Sequence, residues 1–290
     1  MYEVRECKDQ QYKMYELIDR ERGSYVKIVP ERGGIIKGFG MDGQEILYLD
    51  EDTFYDSSKN VRGGIPILFP ICGPLENKKY ENNGVMYNMA NHGLARIYPW
   101  KVVQIDIKDK ACIKIEFNSS AITRKSYPFD FKVVYTYTLK GNMLTLDQEY
   151  INNSEVAMPM YAGFHPYFKI SDKSKLNYEI DASKYLDFED QLVKSYKGRL
   201  DMTNEQESKI FLDAKNHQVA FYDECFKRKI SMQYSREFKY VVLWSVIDKD
   251  FICVEPWMAK PDAMNTQEDL YYIKPHDRYK AYLTIKCENS

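Results

Sequence analysis

Long apolar runs and an excess of one charge are both missing from this sequence. No uninterrupted apolar stretch approaches the roughly 20 residues that a membrane-spanning helix needs, and residues 1–9 contain no apolar signal-peptide core. The 41 basic and 43 acidic residues nearly cancel, which argues against a nucleic-acid or anionic-membrane partner. We therefore expect a cytoplasmic globular protein with neither partner.

Cysteine pairs at metal-ligand spacing are also absent. The six cysteines are scattered along the chain without a Cys-x-x-Cys motif, at Cys7, Cys72, Cys112, Cys225, Cys253 and Cys287. Several lie in apolar, strand-like runs, so reduced thiols are expected. An activated-nucleophile motif such as Gly-x-Ser-x-Gly does not occur either. Proton transfer without a covalent intermediate is therefore the simplest chemistry to expect.

Period-two alternation of apolar and polar residues dominates what is present. Residues 103–117 and 131–150 each read as a β-hairpin, the second with Gly141-Asn142 as its tight turn. Helical periodicity is weak, with short turns expected at 53–59 and 201–207, and the charged region 169–208 is expected to form surface loops and minor strands. The pattern predicts an all-β fold, a large antiparallel sandwich or barrel with few short helices. We expect one domain over residues 1–290.

Four short stretches combine glycine or proline with groups that can do chemistry. The first, residues 62–74, begins with Arg62-Gly63-Gly64-Ile65-Pro66. Its glycines allow close backbone approach to a ligand, and its arginine offers a fixed fork of donors. A structural turn before a core strand is the alternative for this stretch taken alone. The others are His92-Gly93-Leu94-Ala95-Arg96, Gly163-Phe164-His165-Pro166-Tyr167-Phe168 and Val254-Glu255-Pro256-Trp257.

Two of the four histidines lie in these stretches. His92 and His165 have apolar or aromatic surroundings, whereas His217 and His276 lie in polar, turn-like segments. A histidine titrates near neutrality and can give or take a proton, although a core histidine bonded to a backbone carbonyl is an equal alternative for each.

Glu255 is the most informative acid, because it shares a strand face with the apolar Phe251 and Cys253. A carboxylate on such a face must be paired, bind a polar group or take up a proton. It could form a structural ion pair with Arg62 or Arg96, or it could serve a site. A histidine and a glutamate that meet in one pocket suit general acid–base catalysis.

Taken together and in this order, the four stretches resemble the aldose 1-epimerase (galactose mutarotase-like) superfamily, and most closely its bacterial epimerase-like branch. The motifs span residues 62–257. The resemblance implies a galactose mutarotase-like supersandwich, a large antiparallel β-sandwich with its site in a cleft across one sheet. It also implies an isomerase that interconverts the α and β anomers of an aldose without a metal or a cofactor.

The resemblance further implies a role for each motif residue. Glu255 matches the general base that takes the proton of the anomeric hydroxyl, and His165 matches the general acid that protonates the ring oxygen. His92 matches the histidine that holds the ring oxygen or a neighbouring hydroxyl. Arg62 matches a substrate-binding arginine, and Arg96 is expected to bind substrate as well. The partner is then a small sugar or sugar phosphate, bound by a monomer or homodimer.

Two departures from the family pattern leave alternatives open. The family's sugar-binding aspartate has no clear counterpart, with Asp201 and Asp223 as weak candidates. Arg62 and Arg96 also resemble the hexose-6-phosphate mutarotase branch, in which arginines meet a phosphate. A non-catalytic carbohydrate-binding or sensing protein is a further alternative. A metal site of His92, His165 and Glu255 is disfavoured, because their spacing lacks the short helical pairing of zinc proteases.

Overall fold

The fold is built almost entirely of antiparallel strands, in a computed structural model that describes residues 1–289. The strands, in chain order, are β1 (Tyr2–Asp9), β2 (Tyr12–Asp19), β3 (Ser24–Val29), β4 (Ile35–Met41), β5 (Gln44–Glu45), β6 (Ile67–Leu68), β7 (Lys79–Asn82), β8 (Val85–Asn88), β9 (Lys101–Asp106), β10 (Ala111–Asn118), β11 (Phe131–Lys140), β12 (Met143–Asn152), β13 (Met158–Met160), β14 (Gly163–Phe164), β15 (Tyr167–Lys169), β16 (Leu176–Ile180), β17 (Lys184–Asp187), β18 (Leu192–Ser195), β19 (Lys209–Phe211), β20 (Gln218–Asp223), β21 (Arg228–Tyr234), β22 (Tyr240–Trp244), β23 (Phe251–Trp257), β24 (Tyr271–Ile273) and β25 (Arg278–Asn289). The prediction of an all-β antiparallel fold is confirmed.

Helices are few and short. The α-helices are α1 (Glu51–Tyr55) and α2 (Ala263–Thr266), and 3-10 turns cover Pro30–Arg32, Glu76–Lys78, Thr123–Lys125 and Lys173–Lys175. Helix α1 begins after Asp50, whose side chain accepts the backbone N–H of Thr53 as an N-cap. Neither α-helix among residues 1–289 is long and apolar enough to cross a membrane.

Two eight-stranded sheets form the body of the sandwich. The first, here called the back sheet, runs β16-β20-β21-β25-β12-β11-β10-β9. The second, the site sheet, runs β18-β17-β19-β22-β23-β14-β6, with β15 also paired to β23. A further sheet holds β1 to β5 in order, and β7–β8 and β13–β24 form two-stranded pairs.

Both predicted hairpins lie in the back sheet. Strands β11 and β12 pair from Phe131↔Asn152 to Lys140↔Met143, so the tight turn falls at Gly141 and Asn142 as expected. Strands β9 and β10 also pair, with a bulge beside Ile115. The alternation of the sequence therefore located these strands correctly.

The predictions for residues 169–208 and 201–207 need correction. Strands β16, β17 and β18 are members of the two main sheets rather than surface decoration. Residues 201–207 contain no helix. The Asp201 carboxylate instead accepts the backbone N–H and hydroxyl of Thr203, at 2.8 and 2.6 Å. Such a local bond satisfies the backbone in a turn and competes with helix formation.

The core lies between the inner faces of the two main sheets. Phe168 of β15 contacts Phe221 of β20, with ring centroids 5.3 Å apart. One continuous cluster of buried apolar side chains runs from Tyr15 to Cys287. This continuity agrees with one domain over residues 1–290, which stays a prediction. Because strand residues alternate between faces, Ile252 and Val254 of β23 point into this core, while Cys253 and Glu255 point to the opposite face.

Candidate functional site

Three of the four sequence stretches are neighbours in the site sheet. Gly163 of β14 pairs with Leu68 of β6 on one side and with Trp257 of β23 on the other. The fourth stretch joins through a parallel bridge between Gly93 and Phe69. Residues far apart in the chain therefore meet on one face of one sheet.

His165 and Glu255 lie side by side on this face. His165 Nε2 is 3.5 Å from Glu255 Oε1, and the two residues are 7% and 1% exposed. The other carboxylate oxygen, Oε2, accepts the indole N–H of Trp257 at 3.1 Å. Among the described residues, His165 is the basic side chain within 4.0 Å of this carboxylate, so the ion pair of Glu255 with Arg62 or Arg96 is not formed.

His92 lies beside this pair, and its ring is 5.3 Å from that of His165 in an edge-to-face arrangement. The backbone N–H of Gly73 donates to His92 Nδ1 at 3.0 Å. This bond assigns the proton of a neutral ring to Nε2, which is then a donor. His92 itself has a φ of +64°, a left-handed conformation that costs about 1 kcal/mol or more for a residue with a side chain. One residue with a strained backbone therefore lies in the candidate site.

Arg62 and Arg96 lie at the edge of the site, and this edge is here called the rim. Arg62 is exposed, and its guanidinium carbon is 5.9 Å from the ring centroid of Trp244. Arg96 is half-buried, and its Nη2 lies 3.5 Å from the carbonyl oxygen of Val61. In the described residues neither guanidinium has a carboxylate within 4.0 Å, so both cations are available to a ligand.

Burial disfavours charge on both members of the pair. Desolvation raises the pKa of the Glu255 carboxyl well above its ordinary value, although the Trp257 bond and the charge of Arg96 act the other way. Desolvation first, and then the charges of Arg96 and Arg62, lower the pKa of the His165 imidazole to about 3. Burial also lowers the pKa of His92 well below its ordinary value. Burial therefore favours the uncharged carboxyl of Glu255 and the uncharged imidazole of His165.

Aromatic side chains wall the pair. Tyr167 stacks on His165 with centroids 4.6 Å apart, and Trp244 meets the same ring edge-on at 5.6 Å. Phe251 contacts Tyr167 and Tyr48, each at 5.0 Å. Tyr48 and Trp244 were missed in the sequence, because only strand pairing brings them to this face. Half-buried aromatic rings beside polar groups are well suited to the apolar faces of a ring-shaped ligand.

The structure also brings Cys253 to the pair. One ligand atom each from His165, Cys253 and Glu255 lies within 4.8 Å of the others. This trio has Cys253 in place of the His92 of the metal site that the sequence disfavoured. Burial raises the pKa of the Cys253 thiol well above its usual value. This shift favours the uncharged thiol over the thiolate form that binds metals.

Neither candidate aspartate joins the site. Asp223 is fully buried on β20 of the back sheet, where its Oδ1 accepts the backbone N–H groups of Cys225 and Phe226. Asp201 lies in a surface pocket of about 230 Å³ together with Lys173 and Arg199. Both weak candidates for a sugar-binding aspartate are therefore wrong.

The bridge that carries His92 into the site depends on Gly93. This residue has a φ of +76°, and a Cβ there would overlap the backbone carbonyl of Phe69. We expect Gly93→Ala to lower the free energy of unfolding by about 2–4 kcal/mol, from left-handed strain and overpacking together. Gly43→Ala is the matched control, because Gly43 has the same φ with no atom within 4 Å of an added Cβ. Urea unfolding should show a loss of only about 1 kcal/mol for the control, and equal losses would contradict this role of Gly93.

Comparison with known proteins places the chain in a well-populated group. The family profile described as "Aldose 1-epimerase" matches residues 15–286. The solved structure of the Slr1438 protein from Synechocystis sp. PCC 6803 superposes with a TM-score of 0.95 at 33% identity, covering all of both chains. "Protein LacX, plasmid" of Lactococcus lactis is 25% identical over 243 residues, 74% of this chain and 78% of that protein. A protein of Escherichia coli named "Putative glucose-6-phosphate 1-epimerase" is 24% identical over 145 residues, 50% of this chain and 45% of that protein.

Proposed function

The chain belongs to the aldose 1-epimerase family, and from this premise we propose that it interconverts the α and β anomers of an aldose. The observation that carries the proposal is the buried pair of His165 and Glu255, whose Nε2 and Oε1 atoms are 3.5 Å apart. The proposed substrate is a free or phosphorylated sugar, and the proposed location is the cytoplasm. We propose that the protein acts as a monomer or homodimer and needs no cofactor.

Glu255 takes the proton of the anomeric hydroxyl in this mechanism, and His165 protonates the ring oxygen. Both sugar oxygens are bonded to the same carbon, so an acid and a base that lie close together can reach both at once. The ring opens, the bond to the anomeric carbon rotates, and the ring closes from the other face by the reverse transfers. Each proton transfer is expected to contribute about 10²–10⁴-fold in rate.

In this proposal the pair shares a single proton, which suits the cycle. With the proton on Glu255 the pair is neutral, and with it on His165 the pair becomes carboxylate and imidazolium. The two forms have the same net charge, so moving the proton between Oε1 and Nε2 prepares base and acid without proton exchange with solvent. His92 Nε2–H is then free to donate to the ring oxygen or a neighbouring hydroxyl.

Arg62 is the proposed rim contact to the substrate. We expect Arg62→Ala to raise KM about 10–100-fold with kcat nearly unchanged, because a lost bidentate contact made equally in the ground and transition states appears in KM. Arg62→Lys keeps the charge but not the fork, and it should recover part of the affinity. Initial rates from polarimetry measure both constants, and a large fall in kcat alone would contradict a binding role.

A hexose-6-phosphate is the second candidate substrate. It is favoured by two guanidinium groups, Arg62 and Arg96, that have no carboxylate within 4.0 Å in the described residues, because unpaired arginines suit a phosphate. The Escherichia coli relative that matches 50% of this chain is named "Putative glucose-6-phosphate 1-epimerase". If a hexose-6-phosphate is the substrate, Arg62→Ala should raise KM more for the phosphorylated sugar than for the free one.

A panel of free and 6-phosphorylated aldoses tests the function by exchange NMR. Wild-type protein at micromolar concentration should accelerate exchange between the anomeric signals of at least one sugar, and Glu255→Gln at the same concentration should leave exchange at the buffer rate. Saturable binding by calorimetry without faster exchange would instead identify a carbohydrate-binding or sensing protein. Exchange at the buffer rate for every sugar would overturn the enzymatic proposal.

A further inference from the structure

We propose that Arg32 is a positioning residue for the substrate-binding Arg62, a role that rests on the proposed function. Arg32 lies in the 3-10 turn Pro30–Arg32, far from the acid–base pair in sequence and outside the four stretches described above. Its guanidinium fixes the loop that presents Arg62, and the same turn packs against the backbone of Arg96. The turn therefore couples the position of both rim cations.

The guanidinium of Arg32 is bonded only to backbone carbonyls. Its Nε donates to Phe54 O at 3.1 Å, and its Nη2 donates to Thr53 O, Asp56 O and Lys59 O at 3.2, 2.9 and 2.7 Å. Arg32 is 8% exposed, and no carboxylate among the described residues lies within 4.0 Å of it. The last carbonyls of a helix lack intrahelical donors, and a cation beside them is favourable. Arg32 thus holds the carboxyl end of α1 and the loop after it.

Helix α1 and its N-cap residue are bonded directly to the backbone of Arg62. The Arg62 N–H donates to Thr53 Oγ1 at 3.0 Å, and the Arg62 carbonyl accepts the N–H of Asp50 at 2.9 Å. Asp50 and Thr53 are in turn joined by the N-cap of α1. Arg32 therefore reaches Arg62 through two consecutive sets of hydrogen bonds, while the Arg62 side chain stays free for a ligand.

The turn also supports Arg96. Gly33, directly after Arg32, has a φ of +73°, and a Cβ there would overlap the carbonyl of Arg96. The N–H of Trp100 donates to Pro30 O at 2.9 Å and closes the same contact. Arg96 Nη2 also points at the carbonyl of Val61, the residue before Arg62. The turn at Pro30–Arg32 therefore supports the backbone near both arginines.

Arg32→Met tests the proposal, because methionine fills the apolar part of the space but leaves four carbonyls without their donor. We expect KM to rise about 10-fold while kcat changes less than about 2-fold, since only binding geometry is disturbed. In an Arg62→Ala background the substitution should add little further increase in KM, because both changes act on the same contact. The proposal would be overturned if the KM increases of the two single variants multiply in the double variant. It would also be overturned if Arg32→Met lowers Tm but leaves KM unchanged.

Arg228→Met is the matched structural control. Arg228 is 1% exposed and its guanidinium also donates to backbone carbonyls, those of Glu45 and Lys169. It should lose stability without a change in KM, which separates the loss of a buried arginine from the loss of the Arg62 support.

Amide hydrogen exchange gives a readout that needs no enzymatic activity. Residues 53–61 should exchange at least about 10-fold faster in Arg32→Met than in wild type, because the loop opens locally, and should keep wild-type protection in Arg228→Met. Unchanged protection of residues 53–61 overturns the role of Arg32 even if no sugar proves to be a substrate. Suppose that amide exchange is faster in Arg32→Met but the wild-type protein accelerates anomer exchange of no sugar. That result would refute the proposed function, while the role of Arg32 in holding residues 53–61 would stand.

Discussion

Replacing Glu255 by glutamine is expected to lower kcat for anomer exchange by at least about 10³-fold, because an amide cannot accept the anomeric proton. Glutamine has nearly the same shape, and its amide oxygen can still accept the indole N–H of Trp257. KM should therefore change little. Polarimetry or exchange NMR at saturating sugar measures the loss, and a variant with more than a tenth of the wild-type kcat would contradict the role of Glu255 as base.

The same substitution is expected to stabilise the protein at high pH. The folded-state pKa of Glu255 is raised above the ordinary value of 4.5, so its favourable contribution is present below pH 4.5 and is lost as the pH rises toward the folded pKa. Glutamine does not titrate, so the stability of Glu255→Gln relative to wild type should grow as the pH rises above 4.5. Urea unfolding at several pH values checks the sign.

Glu45→Gln is a matched control for both effects. The Glu45 carboxylate accepts the backbone N–H groups of Phe39 and Leu47, at 2.9 and 3.0 Å, and lies outside the site. This variant should keep wild-type kcat, and it should gain no stability at pH 8, because it weakens bonds to a charged acceptor. A similar gain in both variants would show that the stabilisation does not come from the buried site.

Replacing His165 by asparagine is expected to lower kcat by about 10²–10⁴-fold, since the ring oxygen loses its proton donor. Asparagine also removes the stacking on Tyr167, so some loss of stability at neutral pH is expected. His276→Asn is the control, because His276 is exposed in a turn, and it should leave kcat unchanged. A His165→Asn variant with nearly full activity would assign the proton transfer to another group.

The stability of wild type and His165→Asn should also depend differently on pH. The folded-state pKa of His165 is lowered from 6.5 to about 3, so its contribution is present above pH 6.5 and is lost progressively as the pH falls toward 3. The variant lacks this group, so its unfolding free energy should fall less steeply over that window. Parallel pH profiles would show that His165 is not buried as a neutral ring.

Much of the fold could be predicted from local signals. Alternation marks a strand with one buried face whatever it pairs with, which is why the hairpin at Gly141 and Asn142 was located correctly. The four stretches of the candidate site were also visible, because glycine and proline beside histidine or glutamate is a local pattern. In the structure they converge, with His165 and Glu255 side by side. Their chemical roles stay predictions.

What could not be predicted depends on pairing between distant strands. Trp244 faces the site because β22 pairs with β23 in one register, and a shift of β22 by one residue would turn it away. The role of Arg32 has no local signal in the sequence, since its carbonyl partners lie more than 20 residues later in the chain. Asp201 was expected to start a helix, but its side chain bonds locally instead.

A double-variant cycle tests most directly whether His165 and Glu255 act as one acid–base unit. The measurement is kcat for anomer exchange by NMR in wild type, Glu255→Gln, His165→Asn and the double variant, each at saturating sugar. The account predicts that the double variant is no slower than the slower single variant, because groups that act together are strongly non-additive. Losses that multiply in the double variant would contradict it, because they would mean that the two side chains contribute independently.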